Sequence, residues 1–117
     1  MAYRNKTRAP FVHLHLKGRY EDFNDFYDQN KEVIYRAIIE TFNGFIGNRK
    51  QKLSLYIQAL IRGLEWDTEF IFTRTQTIIL TRDVLPFFEN TEDYETCIEI
   101  KKLKEILTNK KELVKID

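Results

Sequence analysis

The sequence predicts an α+β fold: a small antiparallel sheet of three to four strands, built on a central hairpin and covered by one long helix and C-terminal helices. Three observations carry this. Residues 53–73 alternate with period two on both sides of Arg62-Gly63, the pattern of two strands joined by a tight turn. Residues 20–45 repeat apolar side chains at three- and four-residue steps, the pattern of an amphipathic helix. Residues 11–17 alternate again, with Val12, Leu14 and Leu16 on one side, and read as a further strand at one edge of the sheet.

The elements follow in chain order. Residues 1–10 are polar and basic without periodicity and are expected to form a flexible arm. Arg4, Lys6 and Arg8 are its candidate contacts to phosphate or nucleic acid. Pro10 suits a strand start, where no ladder donor is needed. In the long helix, Phe23, Phe26, Tyr27, Ile34, Ala37, Ile38, Thr41, Phe42 and Phe45 form one stripe. Glu21, Asp22, Asp25 and Asp28 crowd its start, where acids complement the helix dipole. Gly44 and Gly47 are expected to stop it. Val33, Tyr35 and Ile39 lie off the stripe and predict contact on a second side.

A basic connector, Asn48 to Lys52, leads into the hairpin. Its first arm points Leu53, Leu55, Ile57, Ala59 and Ile61 one way. Its second points Leu64, Trp66, Thr68, Phe70 and Phe72 inward, with Glu65, Asp67 and Glu69 opposite. Residues 76–81 are β-branched and read equally as a fourth strand or as the first turns of a helix. Residues 82–89 read as a short helix, with Pro86 barring an unbroken α-helix unless it lies in a first turn. Asn90 to Asp93 form a helix start. The last helix then presents Tyr94, Cys97, Ile100, Leu103, Ile106 and Leu107 inward. The single domain is expected to span 11–110, with a frayed tail at 111–117.

Composition narrows the function classes. The chain has 117 residues, 43% hydrophobic and 32% charged, an ordinary globular balance. Its net charge of +1 selects no class of partner. The charge is uneven, however: residues 63–100 hold nine acids against Arg74 and Arg82. One cysteine permits no internal disulfide and fits a reducing compartment. No apolar run is long enough for a membrane helix, and no secretory signal is visible, so the expected location is cytoplasmic. The abundance of Ile, Lys, Phe and Asn suggests an AT-rich genome such as that of a phage or mobile element.

No motif carries recognisable chemistry: there is no phosphate loop, CxxC, HExxH or GxSxG. His13 and His15 would stand about 7 Å apart on one strand face, but no further ligands accompany them. Cys97 sits where a helix core residue belongs and has no base beside it. No catalytic residue, metal or cofactor is therefore expected. Glu65, Asp67 and Glu69 are the candidate partner-binding residues, an acidic comb suited to a basic partner. Lys101, Lys102 and Lys104 are candidate phosphate or nucleic-acid contacts.

Residues 92–103, running Glu92-Asp93-Tyr94-Glu95-Thr96-Cys97-Ile98-Glu99-Ile100-Lys101-Lys102-Leu103, loosely resemble the UVR helical motif. The shared feature is an acidic-aromatic-acidic start leading into small, aliphatic and charged positions. The stretch departs from the motif at Ile98, where a small residue belongs, and at Lys102, where an acid belongs. In that family the motif is a protein-interaction hairpin, so the resemblance implies a binding module.

The expected function is a small non-enzymatic protein-interaction module, of the kind a phage or mobile element uses as an accessory or inhibitor of a larger protein. Its contact would use the acidic comb and the acidic 83–95 segment. Two alternatives stand beside it: binding of nucleic acid or nucleotide through the basic arm and the Lys-rich C-terminus, and a self-associating structural subunit, for which the 14% aromatic content argues.

Overall fold

The computed structural model describes residues 10–109. The expected arm with Arg4, Lys6 and Arg8, and the expected tail at 111–117, lie outside them. The elements are β1 (Val12–Leu16), α1 (Phe23–Asn43), β2 (Lys52–Ile61), β3 (Leu64–Thr73), a π-helical segment (Leu80–Val84) running into α2 (Leu85–Asn90), and α3 (Tyr94–Thr108). The fold is α+β, a three-stranded sheet in the order β1-β2-β3 with helices on one face.

The hairpin forms as its alternation predicts. Leu53 pairs with Phe72, Leu55 with Phe70, Ile57 with Thr68 and Ala59 with Trp66, so both apolar rows share one face. Arg62 and Gly63 make the turn, both with positive φ (54° and 79°), the two-residue geometry that matches strand twist.

The sheet is mixed rather than wholly antiparallel. β1 runs parallel to β2, with Val12 opposite Leu55 and Leu16 opposite Ala59. The reason is the connection: α1 lies between the two strands, and a helix that packs back on the sheet returns the chain to the end where it started. The alternation of 11–17 set its buried side correctly but carried no information on direction.

α1 starts where Asp22 accepts a hydrogen bond from the Asp25 backbone N–H. It buries Phe26, Ile34, Ala37, Ile38, Thr41 and Phe42. Ile39 is buried as well, and the Tyr35 ring meets Phe87 at 5.3 Å, so the second contact side exists and the C-terminal helices fill it. Val33 remains exposed. Gly44 serves close approach rather than a left-handed turn: its φ is −64°, and a Cβ there would lie 2.5 Å from the Phe11 ring. Gly47, with φ of 82°, supplies the left-handed conformation.

Residues 76–81 form no strand: 76 and 77 lie in the connection after β3 and 78–81 are helical. Leu80, Val84 and Phe88 are buried at four-residue spacing and outweigh the β-branched composition. Pro86 is accommodated by the π-helical turn before it, where the Leu85 N–H bonds to the Leu80 carbonyl. Widening the turn relieves the clash a proline ring meets in a regular α-helix. α3 buries Cys97, Ile100, Leu103 and Leu107 but leaves Tyr94 and Ile106 exposed.

All helices lie on the side of Leu55 and Ile57. The opposite face of the sheet has no covering layer among the described residues.

Candidate functional site

The uncovered face is set by register. β1 contributes His13 and His15, β2 contributes Ser54, Tyr56, Gln58 and Leu60, and β3 contributes Glu65, Asp67, Glu69 and Ile71. A chain of contacts crosses it. The His13 ring nitrogen Nε2 lies 2.6 Å from Gln58 Oε1, and its ring meets Tyr56 edge-on at 5.0 Å. The Tyr56 hydroxyl donates to Asp67 at 2.6 Å. Polar groups thus bridge all three strands and hold the side chains of this face in fixed positions.

The structure brings the three acids together as the alternation predicts: Glu65, Asp67 and Glu69 are all exposed on β3, an edge strand. Beside them, Leu60 and Ile71 are exposed by 48% and 57%. On the other side of β3, Leu64 and Phe70 are also poorly covered, because α1 lies over β1 and β2 rather than over β3. Trp66 and Phe72 are the exceptions: Trp66 meets Phe23 and Phe26 at 5.3 Å each, and Phe72 is buried against Phe42. One end of the outer face deepens into a cavity of about 620 Å³, lined among others by Phe11, Lys50, Lys52, Ser54, Glu69 and Ile71.

Two acids of the 83–95 segment, Asp83 and Asp93, are held in ion pairs. Asp83 pairs with Arg82 at 2.7 Å. Asp93 caps α3 through the Thr96 backbone N–H at 3.2 Å, accepts the Thr96 hydroxyl at 2.8 Å and pairs with Arg36 at 2.8 Å. Arg36 also holds Glu32 and lies over the Phe88 ring. Asp93 therefore ties α1 to α3 and is engaged within the fold. Periodicity reads one element at a time and could not show this link.

The Thr96 hydrogen bond, then the Arg36 guanidinium, hold the Asp93 carboxyl below its usual range. A carboxylate with a lowered folded-state pKa stabilises the protein above its unfolded-state value, near pH 4, and loses that contribution as pH falls through the folded-state value. Wild type is expected to lose more stability than Asp93→Asn between pH 5 and 2, measured as the urea midpoint at each pH. Parallel curves would sink the assignment.

Lys101, Lys102 and Lys104 do come together. They line a shallow depression of about 440 Å³ with Thr81, Ile98, Glu105 and Thr108, and the Lys104 ammonium donates to the Thr81 hydroxyl at 3.3 Å. Among the described residues no three His, Cys, Asp or Glu side chains are grouped to hold a metal, and no helix is long and apolar enough to cross a membrane. Cys97 is buried.

Sequence reasoning missed Arg74. It is buried to 6% exposure and donates to the backbone carbonyls of Asn48 and Lys50, shaping the rim of the larger cavity. Its sign in the sequence was faint: a single arginine after a strand, with no acid nearby.

Compared with protein families, with curated proteins and with solved structures, the chain finds no match in any of the three, so the UVR likeness rests on residues 92–103 alone.

Proposed function

We propose that this protein is a small non-enzymatic interaction module that binds a partner protein through the open side of its sheet. The observation that carries the reading is the one-sided sheet ending in an exposed strand, β3, with Glu65, Asp67 and Glu69 on the uncovered face and Leu64, Phe70 and Ile71 left open around them. Apolar contact of this kind holds a complex, and a row of like charges selects and steers the partner. The partner expected is basic where it meets β3.

Affinity capture from a lysate of the source cells tests this. Wild type is expected to retain a partner that the Glu65→Lys, Asp67→Lys, Glu69→Lys variant loses by tenfold or more. All three acids are exposed, so circular dichroism should show the variant folded. Unchanged capture would remove the acidic strand from the contact.

A second reading rests on the depression formed by Lys101, Lys102 and Lys104, which suits a phosphate. Binding of short nucleic acids there should weaken steeply with salt, and a mobility shift insensitive to salt would reject it.

A further inference from the structure

α3 buries one side and leaves the other bare, and the bare side has an ordered chemistry. With each residue turned about 100° from the last, Ile98 stands at the centre of that side. Tyr94 and Lys101 lie on one flank of it, and Glu95 and Lys102 lie on the other, each pair about two turns apart. The ring and the acid come first along the helix and the two lysines last. All five side chains are exposed, Tyr94 by 62% and Ile98 by 55%. Glu95, Lys101 and Lys102 form no ion pair among the described residues, so their charges are left for something outside the fold.

We propose that α3 pairs with α3 of a second copy of this chain, antiparallel and about a two-fold axis at Ile98. The spacing sets the axis. Reversing one helix about Ile98 brings its Lys102 level with Glu95 of the other, to within one residue and on the same flank. Lys101 meets Tyr94 in the same way on the opposite flank. A two-fold contact makes each of these twice: an ion pair at Glu95 and Lys102, and a cation over an aromatic face at Lys101 and Tyr94. Ile98 meets its own copy at the centre and supplies the apolar contact between them. The parallel arrangement is the wrong one, since it sets Glu95 against Glu95 and Lys102 against Lys102. Glu105 falls opposite Thr91, beyond the start of the second helix. A contact one helix wide lies at the small end of interfaces, so the association is weak and needs high concentration. The proposal goes beyond the reading of β3: α3 lies in the helix layer, and pairing there leaves the outer face of the sheet open in both copies.

The test is sedimentation equilibrium of the full-length chain at concentrations up to about 1 mM, the weak end of specific binding. Wild type is expected to pass from monomer to dimer over this range. Glu95→Lys and Lys102→Glu, each alone, should weaken the dimer by about tenfold or more, because two attractions become two repulsions. An equimolar mixture of the two variants should associate as wild type does, since each supplies the charge the other lacks, and the double variant should recover as well. Ile98→Lys sets like charges on the axis and should abolish the dimer. All three positions are exposed, so circular dichroism should show every variant folded. A wild type that stays monomeric at about 1 mM overturns the proposal. A dimer indifferent to Ile98→Lys also overturns it and assigns the contact to another face. Loss in the single variants without recovery on mixing rules out the antiparallel register. A monomer whose binding of a short nucleic acid is lost in Lys102→Glu assigns the lysines to phosphate instead.

Discussion

Replacing Phe42 with alanine is expected to destabilise the protein by about 3–5 kcal/mol, the range for deleting a fully buried aromatic ring. Phe42 has no exposed surface. It lies near the end of α1 and meets Phe45 at 5.8 Å and Phe72 of β3 at 5.3 Å, so it joins the helix layer to the strand proposed for binding. Alanine would lose the ring's transfer free energy and leave a cavity that the helix and sheet can only partly close. Domains of this size are stable by roughly 5–15 kcal/mol, so the variant should lose a large share of its stability. Urea unfolding measures it, with a lower midpoint and an unchanged slope. A loss below about 1 kcal/mol would mean that this end of the core is loosely packed. Phe42→Leu, which keeps most of the volume, should lose much less.

Replacing Arg74 with methionine is expected to remove about 2–4 kcal/mol, since bonds from a charged donor contribute about 1.5–3 kcal/mol and the part-buried Asn48 and Lys50 carbonyls lose their donor. The guanidinium is buried, with Nε 3.2 Å and Nη2 3.0 Å from the Lys50 carbonyl and a further bond to the Asn48 carbonyl. Its charged plane lies 5.4 Å from the Phe45 ring centroid, and its own backbone N–H donates to Gln51 at 3.1 Å. One side chain thus pins the connector between α1 and β2. Methionine keeps apolar volume but supplies no donor. Lysine should recover little, because a single ammonium cannot reproduce the planar fork. Beyond the urea midpoint, amide exchange in residues 48–52 should accelerate in Arg74→Met, whereas Phe42→Ala should loosen the core more broadly. Unchanged exchange in the connector would show that Arg74 does not hold it.

Much of the fold was legible because its elements are written in local periodicity. Alternation in residues 53–73 specified the hairpin, its turn and its inward face, since a strand's side chains change sides at each residue. The apolar stripe of α1 and the inner positions of α3 were readable for the same reason at helical period. So was the placing of Glu65, Asp67 and Glu69 together on one side of β3.

What tertiary structure alone decided involves residues far apart in the chain. The direction of β1 depended on how α1 returns to the sheet. Residues 78–81 became helix because Leu80, Val84 and Phe88 find a core to bury in, a gain larger than the intrinsic preference of β-branched residues. Asp93 is engaged within the fold because Arg36 reaches it from another helix, while Glu65, Asp67 and Glu69 stay exposed because the described helices packed on the other face. The sequence by itself determined what each segment is and which side of it is apolar. Which apolar sides were covered, and hence which surface was left for a partner, was settled only when the segments met, because burial is a property of the assembled layers and not of any one of them.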